Sequence, residues 1–277
     1  MAEIPLTLSA TRSLLETLGL RPQKRFGQNF LVDGNIVRKS LELAAVAPGD
    51  TVVEIGPGLG TLTGALLGAG ARVRAVEMDR GLHRHLEATL ASDYPDHFSL
   101  SLGDALDLPL AGLEAAAAEA GFKIVANLPY AISTPWMEAV LNGPLPDRMV
   151  LMLQKETADR FAAEPGGKQF GAITVFLKSA FAVAKGHKVS RSCFYPVPDV
   201  DSYLFHLERL PHPFRFDPEA RAFARHCFTQ RRKQIGRLVK TSPSGERAAR
   251  WLTRLAEMRC PPSRRPEEIS PDLWKLF

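Results

Sequence analysis

Asn127-Leu128-Pro129-Tyr130 is the stretch whose residue types point most directly to chemistry. It follows the run Phe122-Lys123-Ile124-Val125-Ala126, so it falls where a strand should end. The side-chain oxygen of Asn127 and the main-chain carbonyl of Leu128 are two neutral acceptors. Together they suit an exocyclic amino group on an aromatic ring. Each accepts one N–H, which favours a more sp³-like nitrogen and aims its lone pair at an incoming methyl. Pro129 fixes its own φ and restricts Leu128 to an extended conformation, which turns that carbonyl outward. Tyr130 offers a ring on which a base can stack, worth about 1–3 kcal/mol. The motif holds no His or Lys and needs none, because the nitrogen becomes acidic once alkylated. The competing reading is a polar turn without chemistry.

A second stretch supplies the methyl donor. Val52-Val53-Glu54-Ile55-Gly56-Pro57-Gly58-Leu59-Gly60 reads as a buried strand entering a tight glycine turn, with a helix over 61–67 behind it. A dinucleotide loop is expected to read G-x-G-x-x-G. Here the spacing is G-x-G-x-G, and Glu54 precedes the first glycine, where it would repel a pyrophosphate. It suits a ligand with a sulfonium and an ammonium, S-adenosylmethionine (SAM). The next strand ends in Glu77-Met78, with Glu77 placed for the ribose hydroxyls. A third strand is followed by Gly103-Asp104-Ala105, with Asp104 placed for the adenine amino group. Gly56, Gly58, Met78 and Ala105 complete the expected cofactor contacts on these turns. The competing reading is a glycine turn that only packs.

These turns need a scaffold, and the chain is long enough for one. Its 277 residues are 45% hydrophobic, sufficient for one α/β core and a small appended domain. From residue 51 strands and helices alternate, ending in strands near 182–189 and 202–207, which implies a mainly parallel sheet with helices on both faces. Leu210-Pro211-His212-Pro213 breaks the pattern and marks the boundary between a catalytic domain (1–209) and an all-helical domain (210–277). Helices are expected there over 219–228, continuing through 230–238, then over 247–258 and 267–276. The net charge of +5 favours a polyanionic partner only weakly, but the basic residues cluster at 21–38 and 221–240. The segment 21–32 is a basic loop carrying Phe26 and Phe30, either facing nucleic acid or tucking its rings into the core. Lys24 and Arg25 here, with Arg231, Arg232, Lys233 and Arg237 in the second cluster, are the candidate RNA contacts. A second aromatic candidate is Phe194-Tyr195-Pro196-Val197-Pro198, a rigid loop that would set Phe194 over the other face of the target base. The competing reading is a core-packed Phe. The three cysteines, 193, 227 and 260, fit neither a disulfide framework nor a zinc site, so no metal is expected. No signal peptide is read in the first ten residues and no apolar run is long enough to span a bilayer, so a cytoplasmic protein is expected; a monomer is expected as well.

The set Lys24-Arg25-Phe26-Gly27-Gln28-Asn29-Phe30-Leu31, Glu54 to Gly60, Glu77, Gly103-Asp104-Ala105, Asn127 to Tyr130 and Phe194-x-Pro-x-Pro resembles, in order and spacing, the ribosomal RNA adenine dimethyltransferases. The resemblance covers about residues 21–240. It implies a class I SAM-dependent methyltransferase fold, with a seven-stranded sheet whose last strand is antiparallel. It also implies transfer of two methyls to N6 of each of two adjacent adenosines, in the loop of a hairpin near the 3′ end of 16S rRNA in the small subunit. By the same resemblance Asn29 and Leu31 touch the cofactor together with Gly56, Glu77, Asp104 and Asn127. Two positions depart from the family pattern: Asp199 stands where Lys is usual, and Gly236-Arg237 where Arg-Asn is usual. Gly236 is expected to loosen its helix by up to ~1 kcal/mol. Alternatives are a large-subunit rRNA adenine methyltransferase, a DNA adenine methyltransferase (disfavoured by Leu128, where those usually carry Pro), and an RNA-binding assembly factor without catalysis.

Overall fold

The computed structural model describes residues 7–277; residues 1–6, on which the reading of the N-terminus partly rests, lie outside the described residues. The strands are β1 (Phe30–Leu31), β2 (Thr51–Ile55), β3 (Arg72–Glu77), β4 (Phe98–Leu102), β5 (Lys123–Asn127), β6 (Arg148–Gln154), β7 (Phe181–Val189), β8 (Phe194–Tyr195) and β9 (Ser202–Arg209). Seven of them form one sheet in the order β4-β3-β2-β5-β6-β9-β7. The pairs from β4 through β6 are parallel and β9 runs antiparallel to β6. This is the expected class I methyltransferase sheet. Its central strands are β-branched and apolar because both faces are covered: Val52, Val53, Ile124, Val125, Met149 and Val150 are all fully buried.

The helices α1 (Leu8–Thr17), α2 (Gly34–Leu43), α3 (Thr61–Gly68), α4 (Arg80–Leu86), α5 (Ala115–Glu119) and α6 (Ser133–Val140) accompany the strands. Asp33 caps α2 as its position suggests, accepting from Asn35 N. Asp79 caps α4 through Gly81 N and Leu82 N. α4 runs on into a π-helical turn at Glu87–Ala91.

The chain divides into two compact units, Met1–Lys155 with Val183–Arg209, and Glu156–Ala182 with Leu210–Phe277. The boundary drawn at 210 therefore misses one piece: 156–182 carries α7 (Lys155–Ala162) and α8 (Ala172–Ala180) and packs with the C-terminal helices. Those are α9 (Pro218–Thr229), α10 (Ile235–Lys240), α11 (Gly245–Glu257) and α12 (Pro271–Trp274). The core of this second unit is aromatic, with Phe223 edge-on to Trp251 at 5.2 Å and stacked on Phe277 at 4.3 Å.

Two expected helices are broken. The run through 230–238 stops at Thr229, because the first turn of α10 bonds elsewhere: Ile235 N donates to Arg264 O and Gly236 N to Pro262 O. Gly236 is not a loosening defect. A Cβ there would lie 2.9 Å from the Pro262 Cβ and 3.2 Å from its carbonyl, so glycine permits the close approach. The run 267–276 is split at Ser270, held extended (φ −66, ψ 155) by Pro271. Among the described residues no helix is long and apolar enough to cross a membrane.

Candidate active site

The carboxyl ends of β2, β3, β4 and β5 open on a cavity of about 350 Å³. The glycine turn forms one wall. Gly56, Gly58 and Gly60 sit at φ +65, +63 and +81, a region L side chains avoid. At Gly60 a Cβ would also come within 2.8 Å of Leu86 and Leu90, so the turn is fastened to α4 and the π-helical turn behind it.

Two buried carboxylates face this wall in different states. Glu77 is satisfied by main chain: its Oε1 accepts from Asp79 N at 2.8 Å and its Oε2 from Gly58 N at 3.1 Å. Burial still pushes its pKa up against those two bonds. Glu54 is 1% exposed and its Oε2 has no hydrogen-bond partner. Burial, with Glu77 adding its charge, pushes Glu54 up to about 8; the neighbouring Thr63 hydroxyl pulls the other way. An orphaned carboxylate oxygen lining a cavity fits a ligand that brings a cation. The third acid, Asp104, also lines the cavity; its Oδ1 accepts from Leu106 N at 2.8 Å, shaping the turn. Met78 is 52% exposed at the cavity, an apolar surface for a flat ring, and Ala105 is buried there.

The opposite wall is the Asn127–Tyr130 turn and the segment 25–31. The Asn127 Nδ2 donates to Asn29 O at 2.9 Å. That bond fixes the amide so that its oxygen is the atom left to accept from a ligand. Pro129 (φ −56, ψ 124) follows Leu128 as expected, and its ring packs 3.6 Å from where a Gly56 Cβ would stand. Tyr130 is half-buried, its hydroxyl 2.6 Å from Ser202 Oγ at the start of β9. Asn29 lines the cavity and Leu31 is a buried lining residue in β1.

A family model described as ribosomal RNA adenine dimethylase matches residues 19–259. The chain belongs to the ribosomal RNA adenine dimethylase family. It is 61% identical to the ribosomal RNA small subunit methyltransferase A of Opitutus terrae, over 99% of this chain and 98% of that one. It is 41% identical to the protein of the same name from Moorella thermoacetica, over 95% and 93%. A dimethyladenosine transferase from Plasmodium falciparum superposes with a TM-score of 0.73 at 25% identity, covering 89% of this chain and 95% of that one. The 23S rRNA methyltransferase ErmE shares the fold, with a TM-score of 0.65 at 24% identity over 90% and 98%.

In this dimethylase-family chain the structure gathers Asn29, Leu31, Glu54, Gly56, Gly58, Glu77, Met78, Asp104, Ala105 and Asn127 to Tyr130 around one cavity. It does not bring Phe194 there. Phe194 is 1% exposed and packs in the core cluster with Leu31, Val37, Val189 and Leu204, because β8 pairs with β1 and turns the ring inward. Phe30 is buried but, like Phe26, also lines the cavity; Phe26 is half-buried, under the Arg25 guanidinium at 4.5 Å.

The basic candidates also divide. Lys24, Arg25, Arg232, Lys233 and Arg237 are exposed. Arg231 is spent inside the second unit: Nη1 donates to Lys168 O at 2.6 Å and Nη2 to Gly167 O at 3.3 Å, with Glu267 at 3.9 Å. The sequence reading passed over Asp79, Gln23 and Gln28. Asp79 carried a signal, an acid immediately before a helix start, and Gln28 stands inside the Lys24–Leu31 motif although no role was read for it; Gln23 carried none, since its partner lies more than fifty residues away.

Proposed function

We propose that this enzyme transfers methyl groups from SAM to N6 of two adjacent adenosines in a 3′-terminal hairpin loop of 16S rRNA, giving N6,N6-dimethyladenosines during small-subunit biogenesis in the cytoplasm. The observation that carries this reading is the Asn127 amide, pinned through its nitrogen so that its oxygen is left to accept, on a cavity that Leu128, Glu54 and Glu77 also line. SAM, when bound, supplies an electrophilic methyl on a sulfonium. Glu54 would meet its ammonium, Glu77 its ribose hydroxyls and Asp104 its adenine amino group, with Met78 against the adenine ring. Asn127 Oδ1 and the Leu128 carbonyl would accept the two N–H bonds of the target amine and aim its lone pair. Tyr130, anchored by Ser202, would stack on the base. After alkylation the nitrogen sheds its proton without a dedicated base. The residues' main contribution is positioning, the kind of effect worth ~7–11 kcal/mol when reacting groups are held aligned.

Unmethylated small and large ribosomal subunits are incubated separately with the protein and labelled SAM, and the products are mapped by mass. Two neighbouring dimethyladenosines near the small-subunit rRNA 3′ end are expected. Label confined to the large subunit, or none, overturns the reading.

A further inference from the structure

We propose that Gln28 is a positioning residue for methyl transfer, acting through Asn29 and Asn127; this rests on the function proposed above. The Gln28 side chain is bonded at both ends. Its Oε1 accepts from Gln23 N at 2.8 Å and its Nε2 donates to Asp79 Oδ2 at 3.0 Å. The Gln23 side chain closes the ring, its Nε2 donating to the same Asp79 oxygen at 2.7 Å. Asp79 is 6% exposed and its other oxygen caps α4. The Lys24–Phe26 turn, with Gly27 left-handed at φ +62, is thus tied across its base to the strand that carries Glu77.

The consequence falls on the next residue. Asn29 O is the acceptor for Asn127 Nδ2, and the Asn29 amide itself donates to Gly27 O at 3.2 Å. Gln28 therefore sets where that carbonyl stands, and the carbonyl decides which end of the Asn127 amide faces the cavity. Without it the amide is free to turn its nitrogen, a donor, toward a substrate amine that needs an acceptor. Gln28 has a polar atom on each side of this junction and serves no element ladder, which leaves its bonds with positioning as their purpose.

Gln28→Ala and Gln28→Glu separate this role from mere stability. In Gln28→Glu a carboxylate replaces the amide that donates to Asp79. The charged groups facing it are Asp79, Glu77 behind it, and Arg25, whose Nε donates to Gln23 Oε1. The two adjacent carboxylates repel and the donor to Asp79 is lost, so the tie opens while the Gln23 N contact keeps its acceptor. For Gln28→Ala, kcat on RNA is expected to fall about 100-fold, with a smaller change in the KM for RNA, at every pH. For Gln28→Glu, which keeps the acceptor but loses the donor to Asp79, kcat should fall about as far as in Gln28→Ala. Trypsin, which cuts after the exposed Lys24 and Arg25, should nick both variants faster than wild type at pH 8.5, with thermal melting lowered by only a few degrees. Wild-type kcat in Gln28→Ala or in Gln28→Glu overturns the proposal. The trypsin rate and the affinity for S-adenosylhomocysteine are read without RNA. A protein that binds S-adenosylhomocysteine and shows the nicking difference, yet methylates no adenosine, refutes the function and leaves the tie standing.

Discussion

The cavity at the sheet's carboxyl edge and the surface of the helical unit both present charged residues, but they use them in opposite ways. At the cavity, strand ends deliver polar groups whose hydrogen-bonding capacity is left over: Glu54 Oε2 is buried without a partner, and Asn127 is held by its nitrogen alone. In the helical unit the comparable groups are consumed. Arg231 is tied to the carbonyls of Gly167 and Lys168, and Arg247 bonds both Asp217 at 2.6 Å and Glu219 at 2.9 Å while lying 4.5 Å over the Phe277 ring. A cluster of charge in sequence is therefore a weak pointer to a site. A buried polar atom with no internal partner, lining a cavity, is a strong one.

The contrast makes testable claims, beginning with the residue that the sequence placed at the cavity and the structure places in the core. Phe194→Ala should cost about 3–5 kcal/mol of stability, since it removes a fully buried ring. Denaturant titration checks this. Unchanged stability with loss of RNA turnover would return Phe194 to the site. Next comes the unpaired acid. Glu54 keeps its proton up to about pH 8 when folded, whereas an ordinary glutamate ionises near 4.5. The unfolded chain therefore releases that proton first, and the stability Glu54 contributes is fully present below about 4.5 and lost as pH rises toward 8. Glu54→Gln removes the slope, so its melting temperature should gain on wild type by about 5 °C between pH 5 and pH 8. Parallel curves would contradict the assignment. The smallest effects separate the basic residues. Arg232→Ala and Arg237→Ala should each reduce the slope of log K for RNA against log salt by about 1, with melting unchanged. Arg231→Ala should leave that slope and cost about 1 kcal/mol of stability. The reverse pattern would put Arg231 at the RNA and the other two out of it.

What could be read from sequence follows the range over which each feature is determined. The glycine turn, the acids ending β3 and following β4, and the Asn127 turn are local: a strand, a break and a polar residue within a few positions define each. They fell where expected. The parallel direction of the central strands followed from the alternation of strand and helix. What escaped is set by distant partners. Phe194 is buried because β8 pairs with β1, more than 160 positions earlier. The segment 156–182 belongs with the C-terminal helices although its own pattern continues the α/β alternation. The break after Thr229 exists because the backbone of α10 bonds residues 262–264. The Gln23–Gln28–Asp79 tie joins the Gln28 of the Lys24–Leu31 motif to an acid more than fifty positions away.

The central claim is that Asn127 accepts from the target amine and does not chiefly hold the cofactor. Single-turnover methyl transfer by Asn127→Ala, with S-adenosylhomocysteine affinity measured on the same preparation, tests it most directly. The account predicts a transfer rate lower by about 10²–10³ with binding retained. Transfer at the wild-type rate, or a loss fully explained by failure to bind S-adenosylhomocysteine, would contradict it.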